Sequence, residues 1–281
     1  MNNDDSSYLY HYTSIETAIK IIEGRSLRFG RLDRTDDPDE EQSSDMGNIG
    51  RFVYISCWTI EAEESIPMWY MYSKSMSGVR LGMKRFPFKK HHIPSGILSN
   101  SNPLESYCDL VSLNEQGFGS ISPDSPTLIE VDYTNRDDLL YPKVKSERTS
   151  VEQFRYQEGD VRRKKSSEVS YAFDHIGAFK RKSWAFQKEW RYKVLCAPFT
   201  LNELRAATSH ENQARLIARF ENPSYMPLQD HLMLQLDDSA IANMEILVGP
   251  KADNDEIAKL ATVAAEAGVK EPITMSRLRI R

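Results

Sequence analysis

The first thirty residues constrain the fold more than any other stretch. Tyr8 to Tyr12 has the alternation of a short strand, and Thr13-Ser14-Ile15-Glu16 follows it at once with the spacing of a capping box. Ile15, Ala18, Ile19 and Ile22 then recur on one helical face, and Gly24 is placed to end that helix in a left-handed conformation. Ser26 to Arg31 reads as a second strand. A strand–helix–strand opening of this kind has to bury one face of its helix against a sheet.

A second segment adds to this constraint from far down the chain. Trp190 to Cys196 reads as a strand in which Glu189, Arg191 and Lys193 alternate with Trp190, Tyr192 and Val194, so one face is polar. Between the two, the pattern predicts strands at Arg51 to Trp58, Gly78 to Met83 and Leu128 to Tyr133. It also predicts a helix at Pro67 to Met76, with its proline in the first turn. Asp33 to Asp45 reads as an acidic loop, and His91 to Ser125, rich in Ser, Asn, Gly and Pro, as a loop insertion. Glu147 to Lys182 reads as a long charged helical segment, and Leu201 to Phe220 as helix and loop mixed. Short strands at Leu232 to Asp237 and Glu245 to Gly249 precede a helix at Asp255 to Ala267 that Gly268 ends. The order of elements indicates an α+β fold, and with no convincing linker or internal repeat, residues 1–281 are expected to form a single domain.

Composition narrows the function classes. With 40% hydrophobic and 27% charged residues the chain can bury a sizeable core, and a net charge of −5 argues against a bulk field for polyanions. Cys57, Cys108 and Cys196 are odd in number, widely spaced and set among apolar neighbours. They suggest buried thiols in a reducing cytoplasm rather than zinc or disulfides. The polar, acidic stretch from Met1 to Ser7 is not a signal peptide, and no apolar run is long enough to span a bilayer, so no membrane partner is expected. Neither GxGxxG after a strand nor GxxxxGK[ST] is present, which removes the two commonest nucleotide fingerprints.

The chemistry-bearing candidates are few. His11 stands where a strand meets a helix N-terminus, a junction that attracts phosphate-bearing ligands, and its ring nitrogens can bond a ribose hydroxyl. A structural bond to a nearby carbonyl is the commoner explanation of such a His taken alone. In Met68-Trp69-Tyr70-Met71-Tyr72, Trp69 belongs to the core, while Tyr72 is the better partner for a flat ligand ring. Glu189, at the head of its strand, can accept bonds from a ribose hydroxyl and stabilise an oxocarbenium ion, although a surface Glu paired with Lys or Arg is the common fate. Asp36-Asp37-Pro38-Asp39-Glu40-Glu41 offers oxygen ligands for a divalent ion but lacks EF-hand spacing and a paired His. A solvated acidic loop, with no metal, is therefore the expectation. Three basic clusters, Lys84 to His92, Arg162 to Lys165 and Lys180 to Lys182, would touch a nucleic-acid backbone only if they converge.

These segments, in order, resemble a known family. His11-Tyr12-Thr13 before an Ile-rich helix, Gly24 and Leu27-Arg28-Phe29 resembles the opening of diphtheria-toxin-like and DarT-like ADP-ribosyltransferases. The whole chain resembles the bacterial domain-of-unknown-function family 2971. The matching pieces are Tyr10-His11-Tyr12-Thr13, Asp36-Asp37-Pro38-Asp39-Glu40, Met68-Trp69-Tyr70-Met71-Tyr72 and Gly78-Val79-Arg80-Leu81-Gly82. They continue with Lys182-Ser183-Trp184, Glu189-Trp190-Arg191 and Ile246-Leu247-Val248-Gly249-Pro250. The resemblance implies a split, bent sheet with NAD, as a substrate, in its cleft.

In that scheme His11 binds the adenosine ribose, Tyr72 stacks on nicotinamide and Glu189 stabilises the cation formed as nicotinamide leaves. Tyr12 and Thr13 accompany His11, Arg31 contacts the pyrophosphate, and Gln187 orients an acceptor. Tyr54 and Tyr70 are alternatives to Tyr72. The expected activity is transfer of ADP-ribose to a protein or nucleic-acid acceptor, or NAD hydrolysis. The implied setting is a toxin, effector or phage-defence component with an antitoxin or regulatory partner. A catalytically inactive NAD- or nucleotide-binding sensor and a metal-dependent nuclease are the alternatives.

Overall fold

The protein opens with β1 (Tyr8–Thr13), α1 (Ile15–Gly24) and β2 (Ser26–Arg31), as the sequence pattern requires. The structure is a computed structural model that describes residues 7–96, 102–155 and 161–280; the side chains of 151–155 and 161–167 lie outside the description. Both caps of α1 differ from expectation. Ser14, not Thr13, is the N-cap, its hydroxyl accepting from the Thr17 amide at 3.1 Å. Thr13 stays extended because it pairs with Val79. Arg25, not Gly24, takes the left-handed position, at φ 43°. The backbone cost at a non-glycine residue is offset by tertiary contacts: the Arg25 guanidinium reaches Asp238 at 2.7 Å and the Ala267 carbonyl at 3.0 Å.

A hairpin of β3 (Gln42–Ser43) and β4 (Gly47–Asn48) leads into β5 (Val53–Thr59), α2 (Ile66–Tyr72) and β6 (Val79–Lys84). The end of β1 and the start of β6 lie so close together that a Cβ at Gly78 would sit 2.1 Å from the Thr13 carbonyl oxygen, so only glycine fits there.

Two regions depart from the sequence expectation. The stretch read as a loop insertion carries β7 (His91–Ile93), β8 (Leu104–Ser106) and α3 (Leu110–Glu115). It also gives Ile93, Cys108, Leu110, Leu113, Phe118 and Ile121 to the main core. Its few apolar residues are irregularly spaced, so polar composition masks their burial; residues 97–101 lie outside the described ones.

β9 (Thr127–Glu130), β10 (Asp132–Thr134) and α4 (Asp137–Leu140) follow. The segment read as a long helix is then a hairpin of β11 (Lys145–Arg155) and β12 (Val161–Tyr171), in antiparallel register from Lys145↔Tyr171 to Arg155↔Val161. Charged residues favour a helix in isolation. The hydroxyl-bearing and β-branched run Thr149-Ser150-Val151 does not, and pairing places Arg148 opposite Glu168.

β13 (Phe179–Arg181) joins β10 in parallel, and β14 (Glu189–Leu195) follows a 3₁₀ segment at Lys182–Gln187. The chain ends with α5 (Leu201–Ala206), α6 (His210–Ile217), β15 (His231–Gln235), α7 (Asp238–Ala242), β16 (Glu245–Val248), α8 (Asn254–Ala267) and β17 (Thr274–Met275). Gly268, at φ 84°, caps α8 as expected.

The fold is mixed α+β. The central mixed sheet runs β15-β2-β5-β1-β6-β16-β17, with β14 along the other edge of β5 and β9 beyond it. α1 and α8 contribute Ile15, Ile19, Ile22, Leu260 and Val263 to the main core. Among the described residues no helix is long and apolar enough to cross a membrane.

The feature that positions the site is a split in this sheet. β14 follows β5 along its whole length, from Val53 to Thr59. On the opposite edge of β5, β2 pairs with Tyr54 and Ile55 while β1 pairs with Thr59, so Ser56, Cys57 and Trp58 have no strand partner there. A backbone group exposed in such a gap needs a partner from elsewhere.

Candidate functional site

His11 supplies that partner. Its Nδ1 lies 2.8 Å from the Cys57 carbonyl oxygen, inside the split between β1 and β2. A carbonyl only accepts, so Nδ1 carries the proton, and in the neutral ring Nε2 is an acceptor. Among the described residues no group bonds Nε2. Burial pushes the His11 pKa down and favours the neutral ring, outweighing the Cys57 bond, which acts in the opposite direction. The ring is 5.2 Å from Trp58.

α2 brings the tyrosine. Ser65 caps this helix and its amide donates to the Tyr12 hydroxyl at 3.2 Å, tying the helix to β1. Trp69 is fully buried and meets Tyr12 edge-on at 4.9 Å, a core role as expected. Of the three candidate tyrosines only Tyr72 reaches the His11 cavity. Tyr70 is 63% exposed, and Tyr54 is buried with its hydroxyl on the Gln229 carbonyl at 2.7 Å. The Tyr72 hydroxyl accepts from Gln187 Nε2 at 2.5 Å, and burial raises its pKa.

β14 brings the carboxylate. Its polar face is turned inward: Glu189 and Arg191 are buried, and Arg191 Nε donates to Glu189 Oε1 at 2.5 Å. Lys180, from β13, donates to Glu189 Oε2 at 2.7 Å and to Gln187 Oε1 at 2.9 Å. The Glu189 amide donates to the Tyr133 hydroxyl at 2.9 Å. Burial alone would raise the Glu189 pKa, but Arg191 and Lys180 outweigh it and hold the group at about 2. Cys57 lies beside it, and burial pushes its thiol well up, so it is protonated rather than nucleophilic.

A second carboxylate completes the cluster. Glu40 is 3% exposed and ion-paired to Arg191 and, at 3.2 Å, to Lys180. Neither of its oxygens has a well-aligned hydrogen-bond donor, and burial pushes its pKa up against those two cations. The expected solvated acidic loop is thereby corrected. Asp37 and Glu40 are buried, and Asp39 is paired with Arg181. Lys180 to Lys182 is likewise no surface patch, since Lys180 is buried. Among the described residues no group of three or more His, Cys, Asp or Glu side chains could hold a metal ion.

His11, Tyr12, Tyr72, Gln187 and Glu189 thus surround one small cavity, of about 70 Å³, together with Tyr10, Cys57, Trp58 and Met68. Two candidate ligand-binding residues do not join them. Arg31 is 2% exposed and committed to Asp33 at 2.8 Å and Asp230 at 3.3 Å. Thr13 is held in the β1–β6 ladder. The sequence reading missed Glu40 and Lys180 as site residues, having placed both in solvated clusters. The available signal was the Glu189/Arg191 alternation on an interior strand, because a buried polar face demands counter-charges.

The arrangement offers an acceptor nitrogen, a tyrosine ring and an ionised carboxylate around a space open to a small ring. No curated protein and no solved structure matches the chain. Residues 68–192, which take in Tyr72, Gln187 and Glu189 but not β1, match the model of the family described as protein of unknown function (DUF2971), and this match supports placing the chain in that family.

Proposed function

We propose that this site binds NAD and cleaves its nicotinamide–ribose bond, transferring ADP-ribose to a macromolecule or to water. The observation that supports the reading is the convergence of His11, Tyr72 and Glu189 on one cavity from β1, α2 and β14. His11 Nε2 accepts a bond from a ribose hydroxyl, and Tyr72 presents its ring to nicotinamide. Glu189, ionised at any physiological pH, faces the developing positive charge at the ribose C1′. The C1′–N bond breaks with its electron pair on nicotinamide, which leaves neutral. The acceptor's lone pair then forms the new bond at C1′, and the acceptor loses its proton. Lys180 gives Glu189 one donor, Arg191 gives it two and the Cys57 thiol lies against it, so in this reading the carboxylate acts on C1′ through its charge rather than through a spare acceptor position. At about 70 Å³ the cavity admits little more than the entering ring, well below the ~300 Å³ or more of an ordinary ligand pocket. NAD entry therefore requires α2 and the 182–187 segment, joined through Tyr72 and Gln187, to move apart.

One observation favours a second reading, in which NAD is held without turnover. The two cations on Glu189 offset the negative charge that the cation at C1′ needs. Incubation with labelled NAD and whole lysate, followed by protease or nuclease digestion, tests both, with NAD binding measured in parallel by calorimetry. Label on an acceptor, or free ADP-ribose, is the expected result. Binding without either product would select the second reading, and no binding would end both. Asp39 and Glu40 are folded onto Arg181, Arg191 and Lys180, so a metal-dependent nuclease built on the acidic segment gains no support.

A further inference from the structure

A second cavity, of about 580 Å³, lies at the Lys84 end of β6 and shares no lining residue with the His11 cavity. Its wall carries Lys84, Arg85, Lys89 and Lys90 against one carboxylate, Asp237, in a chain whose net charge is −5. Such a local reversal of sign concentrates anions. Two of the five charges are already engaged. Lys90 pairs with Glu105 at 3.3 Å, and Asp237 accepts from the Ser239 amide at 2.8 Å as the cap of α7. Lys84, Arg85 and Lys89 make no salt bridge to a described residue.

Arg85 is the most telling of the three. Its guanidinium lies 4.5 Å over the Trp190 ring, and its Nε is buried with no acceptor. A buried donor without a partner is costly, so a site that supplies an acceptor is favoured. Beside these cations Phe86 and Tyr107 stack at 5.7 Å and 18°, both half-buried and both lining the cavity. Phe86 holds φ 54°, a conformation that costs energy outside glycine, and its amide is pinned by the Tyr192 hydroxyl at 2.9 Å. Strain kept in place by its surroundings clusters at ligand-binding positions.

We propose that this cavity binds a nucleoside phosphate, with the base against the Phe86–Tyr107 pair and the phosphate on Lys84, Arg85 and Lys89. The volume suits one nucleotide rather than a strand. The inference does not depend on NAD cleavage at the His11 site. The test titrates the full chain by calorimetry with AMP, adenosine, inorganic phosphate and a short single-stranded oligonucleotide. Saturable AMP binding is expected, weakened at least about tenfold by loss of either the phosphate or the base and by the exposed pair Lys84→Ala/Lys89→Ala. Tyr107→Leu should weaken AMP without changing the response to inorganic phosphate. AMP affinity that survives the double substitution would place the ligand elsewhere and overturn the proposal. So would binding confined to the oligonucleotide, which would mark a backbone-binding surface instead, or an absence of AMP binding.

Discussion

The ion pairs around β14 and those on the outer surface are built from the same residue types and do opposite things. Glu40, Lys180, Glu189 and Arg191 are all under 10% exposed, and two carboxylates face two cations in a closed, charge-balanced group. Glu16–Lys20 and Glu211–Arg215 are helical i,i+4 pairs with side chains 70% exposed or more. The buried group has given up water and depends on every member. The exposed pairs keep their water and depend on nothing. A sequence shows Glu and Lys in both places; only depth separates a cluster that holds a site together from decoration.

The largest effect that would sharpen this contrast is removal of Arg191. Arg191→Ala leaves Glu189 and Glu40 sharing Lys180 and should cost about 3–5 kcal/mol in denaturant unfolding. A loss as small as that of a surface pair would mean the cluster is hydrated and the contrast false. Acid comes next. The folded-state pKa of Glu189 is depressed from its unfolded value to about 2, so its contribution is present above about pH 4.5 and lost as pH falls toward about 2. It amounts to roughly 3 kcal/mol, and Glu40, shifted the other way, opposes it. Unfolding measured against pH should show a loss in this window that Glu189→Gln lacks; identical profiles would place the pKa nearer its ordinary value.

Glu189→Gln also separates the cluster's structural and chemical duties. If the proposed reaction operates, turnover should fall at least about a hundredfold, as for loss of one preorganised electrostatic contact. The protein should remain folded, since Glu40 still faces both cations. Near-normal turnover would assign the chemistry to another residue. The smallest effect belongs to the surface: Lys20→Gln should leave the unfolding midpoint where it was, at low salt as at high. A clear shift would show that exposure does not predict the weight of an ion pair in this molecule.

Much of the frame was legible from local pattern. β2 and the β1–α1 order, the interior β14 with one polar face, and α8 with its Gly268 cap follow from periodicity and turn chemistry, which are written over a few residues. Tyr72 and Glu189 were also readable as candidates, at the ends of α2 and β14, while Gln187 was named only through the family resemblance; His11, expected where β1 meets the helix, instead lies within β1, paired with Leu81. The caps of α1 were not: Thr13 and Ser14 are comparable N-caps, and β6 pairing decides between them. The 145–171 hairpin was misread because its charged residues favour a helix unless a partner strand pairs with them.

What the sequence alone determined, then, is which faces are apolar and which side chains stand at element ends. What the tertiary structure alone decided is the depth of the charges. Lys180, Glu189 and Arg191 share one short window, but Glu40 lies in the first quarter of the chain and the two cations in its second half, so no short window contains Glu40 and the cations that make its burial tolerable. A charge enters the interior only where its counter-charges meet it, and that meeting is a property of the packed sheet.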